Sequence, residues 1–131
     1  MIAVDSSAVI AMLAGEADAP RIRAALQTCE GAIISTANLL EVQLVLGGKR
    51  VTAGWTEVEE LLAAYAIAPR PFDDRQLHIA RDAATRYGKG RHPAALNYGD
   101  CFAYALAKSE NVPLLCTGRD FEKTDAEVEL G

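Results

Sequence analysis

The sequence predicts an α/β domain with a mostly parallel sheet. Short apolar runs, Ile2–Val4, Ala32–Ile34 and Val112–Cys116, alternate with longer stretches of helical period. The first two runs end in a polar turn that passes straight into a helix, which is the opening of a strand–helix unit. At 131 residues the chain forms one domain spanning 1–131, long enough to bury roughly two thirds of its unfolded surface.

The opening unit is the plainest. Ile2, Ala3 and Val4 are apolar, Asp5-Ser6-Ser7 is polar, and Ala8 to Leu13 begin a helix. In open parallel sheets ligands bind just beyond the carboxyl ends of the strands, and Asp5 stands at such an end. Gly15 to Pro20 is a turn, after which Ile22, Ala25, Leu26 and Cys29 recur at helical spacing. Gly31 breaks that pattern and Ala32–Ser35 is a second strand. Ser35 or Thr36 caps a helix over Ala37–Leu46, stopped by Gly47-Gly48. A helix from about Ala53 to Ala66 buries Val58, Leu61, Leu62 and Tyr65. Ile67-Ala68-Pro69 is a brief strand, which Pro69 and Pro71 place at a sheet edge. Asp73 or Asp74 caps a helix to Tyr87, with Leu77, Ala80, Ala84 and Tyr87 on one face. Gly88 to Asn97 reads as a loop, Tyr98 to Ser109 as a long helix, and Val112–Cys116 as a buried strand. The turn Thr117–Asp120 leads to a short helical piece and a last strand at Val128.

Half the residues are hydrophobic and 24% are charged, ordinary values for a water-soluble globular fold. The longest apolar run, Leu61 to Ala68, falls far short of the ~20 residues that span a bilayer. The N-terminus has neither a basic region nor a small-residue cleavage site, so a cytosolic location is expected. Cys29, Cys101 and Cys116 are widely spaced and form no Cys-x-x-Cys pair; His78 and His92 stand at no metal-ligand spacing to them. The cysteines therefore read as buried small hydrophobes. A net charge of −5 argues against non-specific nucleic-acid binding, but acids gathered around metal ions would lower the charge of a nucleic-acid enzyme in the same way. Lys49-Arg50 and Lys89 to His92 are local basic clusters.

Four acids sit where a site would form. Asp5 alone is most simply a helix cap. Glu41 has Ala37, Asn38, Leu44 and Val45 around it on its own helix and no Lys or Arg one turn away. A buried carboxylate so placed must be neutral, paired over long range or bound to a cation. Asp100 opens an almost wholly apolar helix, near the end where the helix dipole favours an anion, although Asn97 would serve as its cap. Asp120 follows the Leu114–Cys116 strand, with Glu122 and Asp125 as neighbouring competitors. Gathered at one point, these carboxylates raise one another's pKa, and a hard divalent cation relieves the repulsion. An all-oxygen donor set favours Mg²⁺ or Mn²⁺ over zinc.

The segments Val4-Asp5-Ser6-Ser7-Ala8, Glu41, Asn97-Tyr98-Gly99-Asp100-Cys101-Phe102-Ala103-Tyr104 and Leu115-Cys116-Thr117-Gly118-Arg119-Asp120-Phe121 together resemble the motifs of PIN-domain ribonucleases, in particular VapC-type toxins of bacterial toxin–antitoxin pairs. The resemblance covers nearly the whole chain. It implies a three-layer α/β/α domain, a metal-dependent endoribonuclease activity, and commonly a homodimer. By that likeness Asp5, Glu41 and Asp100 hold the metal and Asp120 completes the quartet, with Asp125 as the alternative fourth acid. Ser7 and Thr117 match supporting polar positions. The family's antitoxin is a small DNA-binding protein of the VapB type whose tail covers the site. Asn97 is expected to orient the Asp100 helix, and Lys49, Arg50, Lys89, Arg91 and His92 to meet RNA phosphates.

Two rival readings remain at this point. A receiver-type signalling domain also gathers aspartates and Mg²⁺ at strand ends, but it wants a lysine after a late strand, and none stands there. A PIN-like binding module without catalysis would not need the full acidic quartet.

Overall fold

The computed structural model describes residues 1–129. Strands β1 (Ile2–Val4), β2 (Ala32–Ser35), β3 (Ile67–Arg70) and β4 (Leu114–Leu115) form one parallel sheet in the order β3-β2-β1-β4. Ala3 is paired with Ile33 on one side and with Leu114 on the other, so β1 is an interior strand. The helices are α1 (Ser6–Ala14), α2 (Ala19–Thr28), α3 (Thr36–Val45), α4 (Trp55–Ala64), α5 (Asp74–Tyr87) and α6 (Tyr98–Glu110).

Because successive strand residues point to opposite faces, β1, β2 and β4 feed two cores. Ile2, Val4, Ile34 and Leu115 pack with α1 to α4, while Ala3, Ile33, Leu114 and Cys116 pack with α5 and α6. The result is the three-layer α/β/α arrangement. Burial on both faces explains why the strands are apolar throughout rather than alternating. Ile33 and Ile34 lie back to back, 1% and 0% exposed, each contributing about 2 kcal/mol by burial.

The local signals act as the sequence suggests in most places. Ser35 is the cap of α3, its hydroxyl accepting from the Ala37 N–H at 3.2 Å. Asp73 caps α5 through the Gln76 N–H at 2.9 Å. Strand β3 is at the edge, where Pro69 has no neighbouring strand to which it would owe an N–H.

Three expectations need correction. The inner face of α5 is Gln76, Ala80, Ala83 and Tyr87, whereas Leu77 is 45% exposed and Ala84 faces solvent. Ala80 and Tyr87 fit both faces, so the apolar pattern did not separate them. Gln76 goes inward because its amide nitrogen donates to the Pro71 carbonyl at 3.1 Å, which makes its burial tolerable. Strand β4 has only two residues, and Val128 makes a single parallel bridge to Leu114 instead of a strand. That bridge still covers the outer edge of β4: Leu114 donates to the Glu127 carbonyl at 2.8 Å and accepts from Glu129 at 2.9 Å. Among the described residues no helix is long and apolar enough to cross a membrane.

Candidate functional site

Asp5 leaves β1 at its carboxyl end and caps α1, Oδ2 accepting from the Ser7 N–H at 3.1 Å. It is 3% exposed, and its other oxygen, Oδ1, is buried with no hydrogen-bond partner. Burial is the main reason that its carboxyl is pushed up to about 7; the Asp100 and Glu41 carboxylates push the same way, against the hydrogen bonds from Ser7. The cap reading of Asp5 is therefore true for one oxygen and leaves the other unexplained.

Glu41 reaches the same place from α3. Its Oε1 accepts from the Ser6 hydroxyl at 2.6 Å and from the Asn38 side-chain amide at 3.0 Å. Glu41 is thus only partly buried and does have a polar neighbour on its own helix, Asn38 one turn back. The apolar side chains beside it are not a shell: Leu40 and Leu44 are 64% and 78% exposed. The far side of the carboxylate lies on Gly99, where an added Cβ would stand 2.6 Å from Oε1 and closer still to Oε2.

Asp100 occupies the third position of α6 and forms a reciprocal capping pair with Asn97. Asn97 Oδ1 accepts from the Asp100 N–H at 2.9 Å, and Asp100 Oδ2 accepts from the Asn97 N–H at 3.0 Å. Burial raises the Asp100 carboxyl above its ordinary range, with Glu41 and Asp120 adding to the effect against the Asn97 bond. Asp120 lies at the exposed rim, 3.6 Å from Lys123 Nζ. The mutual repulsion of Asp5, Glu41, Asp100 and Asp120 records that the fold brings acids from four separate segments to one region.

The supporting residues divide. The Ser7 hydroxyl accepts from the Thr117 N–H at 3.0 Å, joining the turns after β1 and β4, so Ser7 and Thr117 brace two strand ends against each other. Asn97 caps α6. The residues that touch Glu41, namely Ser6, Asn38 and Gly99, were not singled out by sequence. A signal for Asn38 was available in its spacing of three residues before an acid. Ser6 and Gly99 become visible only in three dimensions.

Asp125 is engaged elsewhere. The buried Tyr104 hydroxyl donates to Oδ1, and Lys108 and Arg86 stand 3.4 and 3.6 Å from Oδ2. These partners, the Tyr104 hydroxyl first, hold its carboxyl below the usual carboxylate range. A depressed carboxylate stabilises the fold above its unfolded pKa of about 4, and that contribution is lost as pH falls through the lower folded value. Tyr104→Phe keeps the ring and removes the bond. It is expected to cost about 1 kcal/mol at neutral pH, since Asp125 is partly exposed, lowering the melting midpoint by a few degrees. Melting curves across pH check this: the gap to wild type should shrink as pH falls below the ordinary carboxylate range, and a constant gap would count against the pairing.

Other candidates are placed plainly. Arg50 is held by Glu16 in a two-bond pair at 2.6 and 3.0 Å, so it is not free as expected for a phosphate contact. Lys49, Lys89 and Arg91 are exposed, and His92 Nδ1 accepts from the Ala94 N–H. Cys116 is buried, while Cys29 and Cys101 are only partly so.

Among the described residues no three His, Cys, Asp or Glu side chains are set to hold a metal ion as they stand. The residues nevertheless fit a hard cation. Asp5 Oδ1 is an orphaned buried anion oxygen, every acid in the group offers oxygen alone, and a positive charge is what their mutual repulsion calls for.

Comparison with known proteins identifies the family. The PIN-domain family model matches residues 2–127. Ribonuclease VapC30 of Mycobacterium tuberculosis is 43% identical over 122 residues, 93% of each chain. Among solved structures, VapC20 of Mycobacterium tuberculosis, a sarcin–ricin loop cleaving toxin, superposes with a TM-score of 0.76 at 14% identity, covering 96% of both chains. A toxin–antitoxin complex from Klebsiella pneumoniae gives 0.71 at 16% identity over 100% of this chain and 98% of that one. Those two structures share the fold; the family match and the VapC30 identity along nearly the whole chain establish kinship, and the protein belongs to the PIN-domain family, within its VapC group.

Proposed function

We propose that this chain is a divalent-metal-dependent endoribonuclease and the toxin of a type II toxin–antitoxin pair. The observation that carries the reading is Asp5 Oδ1, buried without a partner in a carboxyl that the Glu41 and Asp100 charges also push up. In it, Asp5, Glu41 and Asp100, completed by Asp120, hold Mg²⁺ or Mn²⁺. When bound, such an ion neutralises charge on the scissile phosphate and makes water a nucleophile near neutral pH.

The chain's own residues do the rest. Ser6 and Asn38 keep Glu41 turned inward, Asn97 fixes the start of α6, and Ser7 with Thr117 clamps the two strand ends. Asp120, at the exposed rim with its side chain 59% accessible, is the carboxylate best placed to accept the proton of the attacking water. Lys49, Lys89 and Arg91 are exposed cations for RNA phosphates around an acidic centre. The receiver reading gains nothing here, since Glu41 enters from a helix and Cys116-Thr117, not a lysine, follows β4.

Two partners complete the proposal. A VapB-type antitoxin fits the likeness to a toxin–antitoxin complex. A second copy of the chain fits the exposed apolar surface of Leu40, Leu44 and Tyr98, the last 83% exposed. Incubation with RNA and Mg²⁺ is expected to give fragments with 5′-phosphate and 3′-hydroxyl ends, and EDTA to stop the reaction. Ends bearing 2′,3′-cyclic phosphate, or undiminished cleavage in EDTA, would refute metal-assisted attack by water.

A further inference from the structure

We propose that Asn38 is a positioning residue of the acidic centre: its buried amide fixes the Glu41 carboxylate and ties α3 to the first turn of α6, which sets Glu41 opposite Asp100. The inference rests on the cation reading above.

Asn38 is 0% exposed and lies one helical turn before Glu41. Its amide nitrogen makes two bonds of 3.0 Å, one to Glu41 Oε1 and one to the Gly99 carbonyl. Both amide hydrogens are thereby used, one within α3 and one across to α6. Gly99 immediately precedes Asp100, so a single planar group spans the backbone that carries one acid and the side chain of another. The Ser6 hydroxyl closes the third side of Oε1 from α1. Glu41 is therefore held by donors from α1 and its own α3, and its rotamer is set by them rather than by an apolar shell, since Leu40 and Leu44 face outward.

Packing alone does not account for an amide at this position. Asn38 Oδ1 is buried with no partner, so a fold that needed only a filled space would do better with an apolar side chain. The two donated bonds are what Asn38 supplies, and one of them ends on a proposed metal ligand. Groups of this kind orient a ligand and tune its affinity, and losing one typically weakens metal binding ~10–100-fold.

The test is a Mn²⁺ titration of the full-length protein followed by electron paramagnetic resonance, with melting curves alongside. Asn38→Leu keeps the branched shape at slightly greater bulk and removes both donors; Asn38→Ala removes them without adding bulk and takes the same measurement if the leucine does not fold. The expected result is a Mn²⁺ dissociation constant raised ~10–100-fold with a melting midpoint unchanged or higher. In a Glu41→Gln background the same substitution should add no further loss, because Asn38 acts through Glu41. Wild-type affinity in Asn38→Leu overturns the inference, as does an equal loss with and without Glu41, which marks a structural role. Failure of the wild-type protein to bind Mn²⁺ would instead sink the cation reading itself.

Discussion

Asp100→Asn is expected to abolish RNA cleavage while leaving the fold intact. The substitution keeps the shape of the side chain and an oxygen that can still accept from the Asn97 N–H, and the Asp100 backbone N–H still donates to Asn97 Oδ1. The cap of α6 survives. What disappears is one negative charge of the proposed metal site. Metal stabilisation of the transition state is worth several kcal/mol, and a loss of about 4 kcal/mol is roughly 10³-fold in rate. Removing an anion from the helix N-terminus costs about 0.5 kcal/mol, and relief of the repulsion with Asp5 and Glu41 acts in the opposite direction. The melting midpoint should stay within a few degrees of wild type. Cleavage assays with purified protein in Mg²⁺ decide the matter, and a variant that cuts at the wild-type rate would remove Asp100 from the site.

Gly99→Ala separates function from stability still more sharply. Gly99 is helical, so alanine suits its backbone and is favoured there by about 0.5–1 kcal/mol. The new methyl group, however, would occupy the space of the Glu41 carboxylate. That carboxylate is the end of a movable side chain, so it would swing out and give up its bonds to Ser6 and Asn38, each worth about 1 kcal/mol. The net cost to the fold is about 1 kcal/mol, small beside the effect on the site. The site, by contrast, loses an acid from its place, and activity is expected to fall at least ~100-fold, the cost typical of a displaced reacting group. A stable variant with full activity would show that Glu41 need not lie against Gly99.

These two expectations mark where sequence reading succeeded and where it stopped. Asp5 after β1 and Asp100 in α6 were legible because each stands at a boundary between an apolar run and a polar turn, and chain order then placed them at the same side of a parallel sheet. Asn97 was legible as a cap from its side chain and position. The inner face of α5 was not, because alanines sit on both of its sides and a buried glutamine carries no apolar signal. Glu41 was singled out for an incomplete reason. Its lack of a Lys or Arg one turn away was correct, but Leu40 and Leu44 point outward, and Ser6 and Gly99, distant in sequence, join Asn38 in fixing it. Asp125 and Asp120 looked alike in the chain; only the Tyr104 hydroxyl and two cations around Asp125 tell them apart.

The position of β4 has a consequence for the order in which the molecule forms. Its pairing partner, β1, is distant in sequence, Ala3 lying against Leu114, so this edge pair of the sheet joins residues far apart in the chain. Contacts between such distant residues bear the loop-closure entropy of nearly the whole polypeptide and form late. Until they do, Asp120 is not beside Asp100, Ser7 does not meet Thr117, and the electrostatic cost of crowding the acids has not been incurred. Assembly of the site and completion of the fold are then one cooperative step. A chain in which β1 and β4 have not yet paired would carry no assembled centre, only an incomplete sheet.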